Sequence, residues 1–179
     1  RVYRDRVLDP SVSIRTTVEA DWPRVRALRI ENATDDPISY GATLETTEAM
    51  TEADWRSRAR RGEAHDSTSL AAVHTATGRW VGMMSAQLGG EDGADPVLTG
   101  VYVSPDFRGR AHGVADALLD GVMDWAAGRA GSLRLYVYEH AVPARRFYGR
   151  RGFTVTGRSR PLGFIEGTTL EMARAILPR

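Results

Sequence analysis

Hydrophobic positions in this chain follow two periods, and the places where one gives way to the other mark out its elements. After a polar lead-in over residues 1–12, Ser13 to Thr17 has the pattern of a short strand. Thr16-Thr17-Val18-Glu19 has capping-box spacing and predicts a helix from about Ala20 to Asn32, with Trp22, Val25 and Leu28 on its buried face and Pro23 in the first turn. Asp35-Asp36-Pro37 ends that helix, and Asp35 to Glu48 reads as a loop. Thr51 with Asp54 three residues on predicts a second helix, through about Arg61 and carrying Trp55. From Ser67 the period shortens to two. Ser69 to Ala76 and Arg79 to Leu88 form strand-like runs around Thr77-Gly78, and a third runs from about Val97 to Val103 after turn-forming residues Gly89 to Pro96. Three consecutive antiparallel strands are the simplest arrangement.

From Gly113 to Ala127, Val114, Leu118, Val122 and Trp125 share one helical face, while Asp116, Asp120 and Asp124 mark an opposite, wet one. Leu133 to Tyr138 alternates as a strand, a short helix is predicted from Pro143 to about Arg151 with Gly152 at its stop, and Phe153 to Thr156 and Thr168 to Ala173 give two last strands around a polar bend. The pattern predicts a mixed α/β fold, with seven strands in one sheet and four helices, as a single domain over residues 13–179.

Composition narrows the chemistry. With 179 residues, 42% of them hydrophobic, the chain suits one globular domain. No apolar run has the length of a membrane span, there is no signal-peptide pattern, and the cytoplasm is the expected location. The absence of cysteine excludes disulfides, thiolate metal sites and a cysteine nucleophile. His65, His74, His112 and His140 are scattered without metal-ligand spacing, so no metal is expected. A net charge of +1 with interspersed acids implies neither a nucleic-acid nor a membrane surface. All 24 basic residues are Arg, which excludes a Walker-type phosphate loop with its lysine.

The most informative stretch runs from Val101 to Ala115. A strand ends at Pro105, and Arg108-Gly109-Arg110-Ala111-His112-Gly113 opens directly into a helix at Val114. Main-chain N–H groups at a helix start lack intrahelical partners and carry partial positive charge, which suits an anion such as a pyrophosphate. These residues resemble the (Arg/Gln)-x-x-Gly-x-(Gly/Ala) loop of the GNAT superfamily of acyl-CoA-dependent N-acetyltransferases, with Ala111 at the middle glycine. A second segment, Pro143 to Phe153, resembles that family's Asn-x-x-Ala-x-x-x-Tyr-x-x-x-Gly-Phe pattern: Ala144, Tyr148, Gly152 and Phe153 fall in place, and Ala141 stands at the Asn position. The resemblance covers about residues 13 to 173.

The resemblance implies a mostly antiparallel sheet in which the strand holding Val101, Tyr102 and Val103 splays from Leu133 to Tyr138 and admits the pantetheine arm of acetyl-CoA. It implies that Arg108, Gly109, Arg110, Ala111, His112, Gly113, Val114 and Ala115 hold the pyrophosphate, with Ala141 and Ala144 nearby. Tyr148 is implied as the acid that protonates the departing thiolate. The base is open: Glu139 and His140 end the fifth strand, and Glu45 lies in the loop expected to line the acceptor site. Tyr40, Asp35, Asp36 and Glu45 together would make an acidic entrance for a cationic amine. Arg145, Arg146, Arg150 and Arg151 offer either contacts to the adenosine phosphate or a wet helical face. The implied activity is transfer of an acetyl group to an amine of a small molecule or peptide; relatives are often homodimers, and the oligomeric state of this chain is left open between that and a monomer. The competing expectation is a non-catalytic module that binds acyl-CoA and regulates a partner.

Overall fold

The computed structural model describes residues 7–89 and 95–177. Residues 1–6 of the lead-in, and 90–94 of the turn expected between Gly89 and Pro96, lie outside that range. The strands are β1 (Val12–Thr16), β2 (Ser67–His74), β3 (Trp80–Gln87), β4 (Val97–Val103), β5 (Ser132–Tyr138), β6 (Thr154–Pro161) and β7 (Thr168–Ala175). They form one sheet in the order β1-β2-β3-β4-β5-β7-β6, antiparallel at every pairing except β4 with β5.

The described residues hold six α-helices, two more than the sequence pattern predicts: α1 (Trp22–Asp35), α2 (Pro37–Tyr40), α3 (Leu44–Glu48), α4 (Glu52–Ala59), α5 (Val114–Ala126) and α6 (Val142–Arg150). The additional pair, α2 and α3, fills what reads in sequence as a loop. Each is about one turn long, too short to show a hydrophobic period, and each is held by its cap. Asp36 Oδ1 accepts from the Ser39 N–H, and Thr43 Oγ1 accepts from the Thr46 N–H. The start of α1 also departs from expectation. Thr16 ends β1 and the Glu19 carboxylate accepts from Arg60 at 3.1 Å, so the capping box expected at Thr16 and Glu19 does not form; Thr17 is buried and donates its hydroxyl to the Ala59 carbonyl at 2.6 Å. Asp21 closes the turn instead, accepting the Val18 N–H at 2.9 Å and a bidentate pair of bonds from Arg15.

The sheet separates two apolar cores. On one face α5 buries Val114, Leu118, Leu119 and Val122 against Leu70, Val81 and Leu133, and α6 adds Tyr148 beside Phe153. On the other, Val25 and Leu28 of α1 and Trp55 of α4 pack on Ala71, Met83 and Tyr102. Complete burial of an aliphatic side chain such as Leu118 stabilises by about 1.5–3 kcal/mol. The acidic face of α5 is less wet than its spacing implies. Arg151 beyond α6 donates to Asp116 at 2.8 Å and to Asp120, which ties α6 to α5.

Candidate active site

Strand β4 carries a bulge. Opposite it, Met83 pairs with Tyr102 and Ser85 with Thr99, so two steps on β3 answer three on β4. The extra residue is accommodated at Gly100, whose φ of 59° is left-handed and whose missing Cβ leaves room for the Arg29 guanidinium. The added step resets which face each side chain meets. Val101 and Val103 face the α5 core, and Tyr102 faces α1.

On its other edge β4 pairs with β5 at only two positions, Val97 with Arg134 and Leu98 with Leu135. Beyond Leu98 the strands part, and the main-chain groups of β4 from Thr99 onward have no β5 ladder to join. The gap is a cleft of about 130 Å³ lined by Gly100 and Val101, by Leu135 and Val137, and by Ala144 and Tyr148 from α6. The Tyr148 ring is 6% exposed and sits edge-on to Phe147 and Phe153. Its hydroxyl has no hydrogen-bond partner among the described residues, and burial raises its pKa, so the phenol stays protonated and able to donate into the cleft.

The loop entering α5 shows how an alanine is tolerated at its centre. Positive φ falls on Gly109 (97°) and Gly113 (64°), whereas no residue other than glycine has positive φ among the described residues. Ala111 therefore occupies ordinary backbone space. A Cβ on Gly109 would meet nothing within 4 Å, so the loop is open on that side, while one on Gly113 would meet the Val7 carbonyl at 2.8 Å. Gly113 is the N-cap of α5, leaving the first N–H groups of a thirteen-residue helix without intrahelical partners. Val114 is buried in the core and Ala115 packs on it.

The loop's side chains are otherwise engaged. Arg108 lies over the Tyr102 ring and donates to the Val103 carbonyl at 2.8 Å and to Asp35 at 2.5 Å, while its N–H donates to the Pro105 carbonyl. The His112 ring bonds Asp9 at 2.8 Å, and the Asp9 N–H donates to the His112 carbonyl. Bonds from Ser11 and His112 hold the Asp9 carboxyl down at about 2. Arg110 is exposed. Ala141 is the N-cap of α6 and packs at the edge of the core, with its N–H on the Tyr138 carbonyl.

Of the carboxylates, Glu139 follows the cleft-lining Tyr138 in the chain but does not itself line the cleft; it is half-buried, with its N–H on the Thr168 carbonyl and its side chain 3.7 Å from His140. Glu45 is exposed in the first turn of α3 and lines neither this cleft nor the cavity described next.

That second cavity, about 260 Å³, lies between the sheet and α1, α4 and the segment after α2, and it shares Thr99 and Gly100 with the cleft. Its charge is opposite to the acidic entrance expected from sequence. Asp35 is bound to Arg108 and to the Tyr102 hydroxyl, and Asp36 caps α2. Tyr40 accepts from Arg58 at 2.9 Å and lies beneath Arg29. The lining is therefore cationic, supplied by Arg29, Arg58 and Arg61. All three lie outside the site residues expected from sequence. Arg29 stands four residues after Val25 and one after Leu28, inside the buried stripe of α1, and an arginine at such a position was the available signal.

The chain matches the family model described as acetyltransferase (GNAT) family over residues 27–153. No curated protein sequence is matched. Among solved structures it is similar to an acetyltransferase of the GNAT family from Streptococcus pneumoniae (TM-score 0.74, 16% identity, covering 93% of this chain and 99% of that one). It is also similar to YncA, a putative acetyltransferase from Salmonella typhimurium solved with acetyl-CoA (TM-score 0.74, 16% identity, 94% and 95%). A third is the PaiA N-acetyltransferase from Thermoplasma acidophilum in complex with coenzyme A (TM-score 0.68, 18% identity, 92% and 99%). This protein belongs to the acetyltransferase (GNAT) family.

Proposed function

We propose that the protein transfers the acetyl group of acetyl-CoA to a primary amine by direct attack in a ternary complex. The observation that carries this reading is that the parted β4 and β5 open a cleft which meets a second cavity at Thr99 and Gly100, so a thioester and an amine have separate approaches to one point. The dimensions and chemistry of the first cleft suit a thin, mostly apolar arm, and the loop at Gly109 to Gly113 suits the diphosphate that such an arm carries.

In this proposal the amine nitrogen attacks the thioester carbonyl, and charge develops on the carbonyl oxygen. The main-chain N–H groups of β4 released from the β5 ladder stabilise that oxyanion. As the carbon–sulfur bond breaks, Tyr148 gives its proton to the thiolate and recovers one from solvent. Glu139, next in the chain to the cleft-lining Tyr138, takes the proton lost by the amine through water. The fixed arrangement of both reactants supplies the remaining advantage.

Thiol release from acetyl-CoA, measured across amines, amino acids and peptide N-termini, tests the reading. Turnover with one acceptor class supports it. Acetyl-CoA binding without turnover on any acceptor would favour a regulatory binding module.

A further inference from the structure

Deepening the acetyl-transfer reading and resting on it, we infer that the acceptor carries a compact anionic oxygen group beside its amine, a carboxylate in the first instance, and that Arg29, Arg58 and Arg61 bind it. Arg29 is 4% exposed and lines the cavity of about 260 Å³. One arm of its guanidinium is occupied, with Nη2 donating to the Gly100 carbonyl at 2.7 Å, but Nη1 is buried without any partner. A buried charged donor left unsatisfied is expensive, and natural structures rarely keep one unless something fills it.

The neighbours make the deficit larger. Arg58 and Arg61 line the same cavity, and among the described residues no carboxylate lies within ion-pair distance of any of the three. Burial lowers the Arg29 pKa to about 10, and repulsion from Arg58 and Arg61 adds to the shift. Arg61 is lowered likewise, by burial first and then by Arg58. Arg29 and Arg61 remain cations near neutral pH, and with Arg58 beside them the cavity concentrates guanidinium groups that an oxyanion would offset with charge-assisted bonds. Ser69, Ser85 and Thr99 add hydroxyls to the lining. With the anion held at the arginines, the acceptor's amine extends toward Thr99 and Gly100, where the two cavities join. Polyamines, which bring only further positive charge, are excluded by the same field.

The test compares matched acceptors in the thiol-release assay: L-leucine with isoamylamine, L-phenylalanine with phenethylamine, L-lysine with cadaverine, and aminomethylphosphonate with glycine. Carboxylate-bearing acceptors are expected to exceed their decarboxylated partners in kcat/KM by about 10²-fold or more. Arg58→Gln and Arg61→Gln, at half-buried positions that tolerate change better than Arg29, should erase most of that preference while leaving the KM for acetyl-CoA in place. A preference for the phosphonate over glycine would move the assignment from carboxylate to phosphate-like anions and overturn the narrower statement. Equal or better turnover of the decarboxylated amines would overturn the inference altogether. Should no amine be turned over, thermal shifts with the same amino acids decide: a rise in Tm lost in Arg58→Gln supports the anion site while ending the acetyl-transfer reading, and no rise ends both.

Discussion

The Arg29 guanidinium donates to the carbonyl of Gly100 at 2.7 Å, tying the buried stripe of α1 to the bulge of β4 at the point where the two cavities meet. Glycine is required there twice over, by its left-handed φ and by the space the guanidinium occupies. Gly100→Ala is therefore expected to cost about 1–3 kcal/mol from backbone strain, before any contact with Arg29 is counted. Chemical denaturation reads that loss. Steady-state kinetics should show acetyl transfer falling further than acetyl-CoA affinity, because the substitution disturbs the junction and not the loop at α5.

Tyr148→Phe separates the phenol from the ring. The ring fills the space between Phe147 and Phe153, so the variant should fold with a Tm within a few degrees of the parent. If the hydroxyl protonates the leaving thiolate, kcat falls by about 10²-fold or more, with KM for acetyl-CoA unchanged. A kcat within twofold of the parent would assign the residue to packing alone.

The loop before α5 predicts a contrast between two neighbouring small residues. Gly109 has positive φ with open space around its Cα, so Gly109→Ala carries backbone strain and little steric clash, on the order of 1–2 kcal/mol. CoA affinity measured by competition should drop accordingly. Ala111→Gly relieves nothing, since Ala111 already sits in ordinary backbone space, and affinity should hold or fall slightly.

A pH-dependent prediction comes from the start of α1. The bonds from Arg15 are the main reason the buried Asp21 carboxyl titrates below its ordinary value of 3.8; burial opposes the shift and the Val18 N–H assists it. A lowered folded pKa means that the contribution is complete above the unfolded value and disappears as acid protonates the folded state. Asp21→Asn should cost about 1–3 kcal/mol at pH 7. The gap between variant and parent in denaturant titrations should be full above the ordinary carboxyl value of 3.8 and close as the pH falls below it.

These particulars show where sequence reasoning reaches and where it stops. The strand-like runs of β2 to β5 and the apolar stripe of α5 placed those elements within a residue or two: α5 buries one repeating face, while β2 and β3 are buried on both faces and are delimited by the turn residues around them. Helices α2 and α3 escaped because a single turn has no period to detect, and their caps at Asp36 and Thr43 also fit an ordinary loop. The parting of β4 from β5 left no mark in either strand's own pattern; it was anticipated only through resemblance to a family. The cationic cavity was hard to see for another reason: Arg29 is far along the chain from Arg58 and Arg61, its place in the buried stripe of α1 was the one signal, and arginine is so common in this chain that it does not mark a site.

The central claim is that the gap between β4 and β5 holds the thioester arm of CoA, and calorimetric titration of CoA into the protein and into Ala144→Trp tests it most directly. Ala144 lines the gap from α6, so an indole there plugs the cleft. The account predicts one CoA bound per chain of the parent, and affinity at least about tenfold weaker in the variant, as expected for an overpacked site. Absence of heat with the parent, or equal affinity in both proteins, would contradict it.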